Sequence, residues 1–124
     1  MSYILIVEDD FDNAEILMYH LAELEIPVQH IPNGYQVVKM VQDNPPLLIF
    51  MDVNLPDDDG RVICNQIKNR LKENAPAIIV MTAAYSGVQN RLARQMGADD
   101  FASKPLNIPR VIQKARKLLA VRNA

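Results

Sequence analysis

Short apolar segments alternate with longer segments of helical periodicity along this chain. The apolar segments are bounded by turn-forming residues and are too short for helices, so each is predicted to form a buried strand. Strands and helices in alternation are typical of a parallel sheet with helices on both faces. The pattern therefore predicts an α/β fold of five strands and five helices in one domain, residues 1–124.

Several residues mark the ends of the predicted helices. Asp12, with Glu15 three residues later, has the pattern of a capping box at the start of the first helix. Ser86 and Asn107 are predicted to cap the fourth and fifth helices, and Gly97 to end the fourth in the left-handed conformation. The strands are predicted at residues 3–7, 27–31, 47–51 and 77–81, with a short fifth strand at Phe101.

Composition excludes several classes of function. The chain has 13 basic and 15 acidic residues, a net charge of −2, so no positive field favours direct binding to nucleic acid or to an anionic membrane. No apolar run reaches the roughly 20 residues of a membrane span, and the first apolar segment meets Glu8 too early for a signal peptide. The one cysteine, Cys64, excludes an internal disulfide. These features predict a soluble, cytoplasmic protein.

Reactive side chains follow four of the predicted strands. In parallel sheets of this kind, ligands and chemistry gather at the carboxyl ends of the strands. The first strand ends in Glu8-Asp9-Asp10, the third in Asp52 and the fourth in Thr82, and the fifth is followed by Lys104. We therefore expect these side chains to meet at one edge of the sheet. The two histidines are isolated from these motifs and are assigned no role.

Carboxylates at neighbouring strand ends predict a metal site. Such groups repel one another unless a cation or protons compensate the charge. Mg²⁺ prefers oxygen ligands and keeps several waters, which suits an open site of carboxylates and a backbone carbonyl. We predict that Mg²⁺ is held by Glu8, Asp9, Asp52 and the carbonyl of Asn54. The neighbouring acidic residues fit better as helix caps or solvated loop residues.

Asp52 is the candidate for covalent chemistry. A carboxylate is costly at the end of a buried apolar strand, which indicates a functional reason for its position. A carboxylate can accept a phosphoryl group if the charge of that group is neutralised and its oxygens find donors. Lys104 can supply the positive charge, and Thr82 can supply a hydroxyl donor.

These motifs resemble those of the response regulator receiver domains of two-component signalling systems. The resemblance covers essentially the whole chain and implies a flavodoxin-like, doubly wound sheet with strand order 2-1-3-4-5. It also implies a cis bond between Lys104 and Pro105. The segments that carry it are residues 4–10 (ILIVEDD), residues 51–56 (MDVNLP), Asp59-Gly60, Thr82-Ala83-Ala84 and Lys104-Pro105.

The resemblance further implies a phosphorylation switch. Asp52 would accept a phosphoryl group, beside Mg²⁺, from a histidine kinase or a histidine phosphotransfer protein. The domain would act as a catalyst only in its own aspartyl phosphorylation and dephosphorylation. Thr82 would then move inward, and Phe101 would turn into the vacated space. Phe101 stands where the family often has tyrosine, so any contact of a phenolic hydroxyl is absent here.

The resemblance places the output of this switch on the fourth helix, the fifth strand and the fifth helix. A downstream effector protein or a covalently linked output domain would bind this face. A phosphorylation-dependent homodimer through the same face is a further expectation. The residues of this face that are expected to be exposed are Gln89, Arg91, Arg94, Arg110 and Lys114.

Three other interpretations fit parts of the sequence. A haloacid-dehalogenase-like phosphatase needs a second Asp two residues after its nucleophile, where this chain has Asn54. A flavodoxin-like mononucleotide binder needs a phosphate loop rich in Gly, Ser or Thr after the first strand, where Glu8-Asp9-Asp10 would repel phosphate. The third is a receiver that works only as a phosphorylation-independent docking module. The set of Asp52, Thr82 and Lys104 argues against it.

Overall fold

A computed structural model describes residues 2–83, 91–92 and 94–122. The strands are β1 (Ile4–Val7), β2 (Val28–Ile31), β3 (Leu48–Asp52), β4 (Ala77–Thr82) and β5 (Asp100–Ser103). The helices are α1 (Phe11–Leu21), α2 (Val37–Asp43), α3 (Gly60–Leu71) and α4 (Ile108–Arg122). Short 3₁₀ turns, Ala22–Leu24 and Lys72–Asn74, follow α1 and α3.

The five strands form one parallel sheet. Their order is β2-β1-β3-β4-β5, which confirms the order implied by the resemblance. Val7 pairs with Met51, Asp52 with Met81 and Thr82 with Ser103. This register aligns the carboxyl ends of β1, β3, β4 and β5 along one edge, where the sequence motifs are found.

Helices cover both faces of the sheet because its central strands are apolar on both sides. Every residue of β1, β3 and β4 is buried. Leu5 and Val7 pack in one core with residues of α2 and α3, whereas Ile4 and Ile6 pack in a second core with residues of α1 and α4. The alternation follows from the two-residue period of a strand. No described helix has the length and apolar character that a membrane span requires.

The caps of two helices test the predicted helix starts. The prediction that Asp12 caps α1 is wrong, because the cap is Asp10, whose carboxylate accepts a hydrogen bond from the Asn13 amide at 3.0 Å. Asp10 has the extended backbone of a cap residue, whereas Asp12 already lies inside the helix. Asn107 caps α4 as predicted, since its side-chain oxygen accepts a hydrogen bond from the Arg110 amide at 3.2 Å.

The fourth predicted helix falls largely outside the described residues. Residues 91, 92, 94 and 95 are helical, whereas Ser86, its predicted cap, is not among the described residues. Gly97 has φ +102°, which confirms the predicted left-handed conformation. The helix labelled α4 is therefore the fifth of the sequence-based prediction.

Candidate functional site

Asp52 lies at the centre of the candidate site. It is the last residue of β3, between β1 and β4, and it is only 4% exposed. Its Oδ1 accepts a hydrogen bond from the Asn54 amide at 3.0 Å, and its Oδ2 lies 3.1 Å from the Lys104 ammonium. Both oxygens therefore have donors, and the carboxylate is held in a defined orientation.

Lys104 links two buried carboxylates. Its Nζ lies 2.6 Å from Oε1 of Glu8 and 3.1 Å from Oδ2 of Asp52. Its amide donates to the Thr82 carbonyl at 2.8 Å, which extends the β4–β5 pairing, and the bond to Pro105 is cis, as the resemblance implied. Burial lowers the pKa of Lys104, but its hydrogen bonds to Glu8 and Asp52 outweigh this effect and raise the pKa above its ordinary value. Lys104 is therefore a stable cation at neutral pH.

Glu8 carries a carboxylate that is incompletely compensated. It is 2% exposed, and its Oε2 has no hydrogen-bond partner in the described part of the chain. Burial raises the pKa of Glu8 to about 7; the neighbouring Asp52 carboxyl adds to this rise, and Lys104 opposes it. A buried oxygen without a donor is costly, so this atom favours a proton or a cation beside it.

The carboxylates fit a divalent cation. Glu8, Asp9 and Asp52 each offer an oxygen, and these atoms lie within 4.8 Å of one another. Asp9 is exposed whereas the other two are buried, so the cluster is open to solvent on one side. Such a site matches the preference of Mg²⁺ for oxygen ligands and retained waters. The role of the Asn54 carbonyl as a further ligand stays a prediction.

Thr82 and Phe101 lie on the neighbouring strands. Thr82 ends β4, beside the strand that carries Asp52, and it is 7% exposed. Phe101 lies in β5 opposite Val80 and is half-buried. The structure therefore places both predicted switch residues on the same side of β3, Thr82 on the adjacent strand β4 and Phe101 on β5, the strand beyond it.

Two cationic side chains, Arg94 and Lys114, lie over the ring of Phe101. The Arg94 guanidinium carbon lies 5.0 Å from the ring centroid and the Lys114 ammonium 5.3 Å, both within cation–π range. Lys114 also donates to the Phe101 carbonyl and lies 3.3 Å from the Asp100 carboxylate. Lys114 was predicted to be exposed, but these contacts leave it half-buried, whereas Arg91, Arg94 and Arg110 are exposed. Ala84 and Gln89 lie outside the described residues.

Gly60, at the start of α3, lies close to the backbone of Asp52. Its amide donates to the Val53 carbonyl at 2.8 Å. A Cβ atom at Gly60 would lie 2.1 Å from the Asp52 carbonyl oxygen and 2.9 Å from Cγ of Met51. The start of α3 can therefore approach the end of β3 only because residue 60 has no side chain. Sequence reasoning did not predict this contact, and the Asp59-Gly60 motif is the signal that could have indicated it.

Sequence reasoning missed the contact of His30 with the site. Nε2 of His30 lies 2.7 Å from the backbone carbonyl oxygen of Glu8, and its ring packs edge-on against Phe11. The only available signal was the position of His30 near the end of the second predicted strand.

A comparison with protein families finds one that matches most of the chain. The model of the response regulator receiver domain family matches residues 4–116. The chain is 33% identical over 116 residues to the transcriptional regulatory protein BaeR of Escherichia coli O6:H1 and 28% identical over 116 residues to the transcriptional regulatory protein GltR of Pseudomonas aeruginosa. These alignments cover 94% of this chain but 47% and 48% of the relatives, so the chain spans about half the length of the curated relatives it matches.

Solved structures show the same fold. A two-component response regulator from Clostridium difficile aligns with a TM-score of 0.89 and 29% identity, over 100% of both chains. A chain in the co-crystal structure of the Saccharomyces cerevisiae histidine phosphotransfer signaling protein Ypd1 and the receiver domain of its downstream response regulator Ssk1 aligns with a TM-score of 0.88 and 30% identity. That alignment covers 98% of this chain and 90% of the other.

Proposed function

This chain belongs to the response regulator receiver domain family, and from this premise we propose that it is a phosphoacceptor switch in which Asp52 takes up a phosphoryl group. The observation that carries the proposal is the placement of the Lys104 ammonium between the buried carboxylates of Glu8 and Asp52. A nucleophile, a mobile positive charge and an acidic cluster thus share one open edge of the sheet. Such a combination serves transfer of an anionic group better than it serves packing.

The side chains of this edge match the needs of phosphoryl transfer. A carboxylate oxygen of Asp52 attacks the phosphorus of a phosphohistidine on a histidine kinase or histidine phosphotransfer protein. The new P–O bond forms as the P–N bond breaks, and the imidazole nitrogen keeps the bonding electron pair. Lys104, already 3.1 Å from Asp52, follows the transferred charge and pairs with a phosphoryl oxygen. The Thr82 hydroxyl donates to another phosphoryl oxygen.

Mg²⁺ is the proposed cofactor. Glu8, Asp9, Asp52 and the Asn54 carbonyl would hold it, and the oxygens of the first three already lie within 4.8 Å of one another. When bound, Mg²⁺ neutralises negative charge on the phosphoryl oxygens and on the carboxylates. The uncompensated Oε2 of Glu8 supports a cation at this position.

The proposed output depends on Thr82 and Phe101. Once Thr82 moves toward the phosphoryl group, the ring of Phe101 turns inward and leaves Arg94 and Lys114, which now lie on it. The surface formed by residues 91, 92, 94 and 95, β5 and α4 then changes shape and binds a downstream effector protein or a linked output domain. Phosphorylation-dependent homodimerisation uses the same surface. A shift from about 1:99 to 99:1 needs roughly 5.5 kcal/mol of preference for the phosphorylated form.

The domain is a catalyst only for its own aspartyl phosphorylation and dephosphorylation, since Asn54 occupies the position of an acid–base carboxylate. Its location is the cytoplasm, where a reduced cysteine such as Cys64 persists. The phosphoryl donor is a histidine protein of the kind that the Ssk1 receiver binds in its co-crystal with Ypd1.

Beryllofluoride titration by backbone NMR tests the proposal, because beryllofluoride mimics an aspartyl phosphate. In the presence of Mg²⁺ we expect shifts at Asp52, Thr82 and Lys104 that extend to Phe101. Asp52→Asn should abolish them, whereas the exposed control Asp12→Asn should keep them. A wild-type protein that does not respond would leave the phosphorylation-independent docking module as the better interpretation. Sedimentation of the same samples tests homodimerisation, and an unchanged coefficient would exclude it.

A further inference from the structure

His30 lies on β2, outside the group of residues to which the chemistry is assigned. Its Nε2 is 2.7 Å from the carbonyl oxygen of Glu8. A carbonyl oxygen only accepts hydrogen bonds, so Nε2 carries the hydrogen and His30 is the donor. The ring also packs against Phe11, with 5.2 Å between ring centroids and an angle of 80° between the planes. One side chain therefore contacts two residues that flank the loop between β1 and α1.

These two contacts enclose the loop that carries Asp9. Glu8 precedes the loop and Phe11 is the first residue of α1, so only Asp9 and Asp10 lie between the two points held by His30. The Glu8 carbonyl belongs to the same planar peptide unit as the Asp9 amide. A hydrogen bond to that carbonyl therefore fixes the plane from which the Asp9 backbone continues.

The remaining contacts of Glu8 and Asp9 explain why this plane matters. The Glu8 amide donates to the Ile31 carbonyl at 3.1 Å, so β2 holds both backbone polar groups of Glu8. Asp10 is committed to capping α1. Asp9 is exposed, and the described residues offer its carboxylate no ion pair. The position of the Asp9 carboxylate thus depends on its backbone, which His30 holds on one side and the Asp10 cap on the other.

We propose that His30 is a positioning residue that fixes the β1–α1 loop through the Glu8 carbonyl and Phe11, and so sets the affinity of the Glu8–Asp9–Asp52 cluster for a divalent cation. The proposal rests on the proposed function only in requiring that this cluster bind Mg²⁺. Loss of an outer contact that orients a metal ligand lowers metal affinity in general. The effect here passes through the backbone of the ligand residues and not through their side chains.

The test is a titration with MgCl₂ alone, followed by backbone NMR, on paired variants of His30. His30→Phe keeps an aromatic ring beside Phe11 but has no donor for the Glu8 carbonyl. His30→Gln keeps an N–H donor at a similar distance from the backbone but has no ring. We expect His30→Phe to raise the Kd for Mg²⁺ on the order of tenfold and His30→Gln to restore it to within about threefold of wild type. His20→Gln is the matched control, since His20 packs on Tyr19 in α1 and should leave the Kd unchanged.

Denaturant unfolding without Mg²⁺ separates positioning from stability. A purely structural His30 would lower the unfolding free energy and leave the Kd of the folded protein unchanged. Equal Kd values for His30→Phe and wild type, or equal weakening by His30→Phe and His30→Gln, would overturn the proposal. If wild type itself binds no Mg²⁺, the proposed function fails first. Should His30→Phe not fold, Phe11→Ala frees the other end of the loop at an exposed position, and an unchanged Kd there overturns the proposal.

Discussion

At the scale of single residues, Glu8 differs from an ordinary surface carboxylate in its burial and its pKa. Its carboxyl is buried, one oxygen faces Lys104, and the other has no hydrogen-bond partner among the described residues. Burial, together with the nearby Asp52 carboxyl, raises the pKa of Glu8 to about 7 from the ordinary value of 4.5. Without a bound cation, the Glu8 carboxyl therefore keeps its proton in the folded state between pH 4.5 and about 7, whereas in the unfolded chain it has lost that proton.

The first prediction concerns the pH dependence of stability without Mg²⁺. Because the folded protein binds more protons than the unfolded chain between pH 4.5 and about 7, this carboxyl makes the unfolding free energy fall as pH rises through that window. In Glu8→Gln this part of the slope should disappear. Denaturant unfolding at several pH values measures it. An identical slope in wild type and Glu8→Gln would contradict the raised pKa.

Magnesium gives a control for that measurement. A divalent cation binds the ionised carboxylate and lowers its pKa. Saturating Mg²⁺ should therefore flatten the dependence of the unfolding free energy on pH in wild type. The pH dependence of Glu8→Gln should stay the same with and without Mg²⁺.

At the scale of elements, the start of α1 assigns different roles to adjacent carboxylates. Asp10 caps the helix through the Asn13 amide, whereas Asp9 offers its oxygen to the acidic cluster. Asp10→Ala should lower the unfolding free energy by about 1 kcal/mol, because a helix cap is lost. Asp9→Asn should weaken Mg²⁺ binding by at least about tenfold, because a ligand is lost.

Paired measurements of unfolding and of Mg²⁺ affinity check these two roles. Asp10→Ala should change the Kd for Mg²⁺ little, and Asp9→Asn should change stability without Mg²⁺ by less than about 0.5 kcal/mol, as at most exposed positions. The reverse pattern would mean that the two roles are exchanged.

The junction between β3 and α3 carries a second prediction at this scale. A methyl group at Gly60 would overlap the backbone carbonyl of Asp52, which cannot move without distorting β3. Gly60→Ala should therefore cost about 2 kcal/mol of unfolding free energy, as overpacking does. Gly34→Ala is the matched control, because its new methyl meets Cδ1 of Ile63, the end of a side chain that can rotate. Equal losses in the two variants would argue against a backbone clash at Gly60.

At the scale of the whole molecule, the acidic edge couples cation binding to folding. The cluster brings together residues of β3 and of the end of β1, which lie far apart in the chain, so an unfolded chain cannot form it. Mg²⁺ at about 100 times its Kd should raise the unfolding free energy by about 2.7 kcal/mol. Denaturant titrations with MgCl₂, and with NaCl at equal ionic strength, measure the difference. The same gain in Asp9→Asn would show that Mg²⁺ acts elsewhere.

Much of the architecture was predictable because it depends on local patterns. Alternating apolar and helical segments predicted the strands to within about two residues and, of the five predicted helices, the four labelled α1 to α4. The end of an apolar run placed Asp52 at the edge of the sheet, where the structure has it. Asn107 and Gly97 were correctly predicted because caps act within a few residues of the chain. The strand order came from the family resemblance, since periodicity does not reveal which strands are neighbours.

Tertiary structure alone decided the individual atomic contacts within the site. Lys104 contacts Glu8 across 96 positions of sequence, and His30 reaches the Glu8 carbonyl across 22. The burial of Lys114 against Phe101 likewise depends on how elements pack. The sequence by itself determined the helices and strands, because a buried face requires apolar residues at the spacing of a helix or of a strand, and this spacing is visible in neighbouring residues. Only the folded sheet determined the contacts, because register and crossovers bring distant residues together.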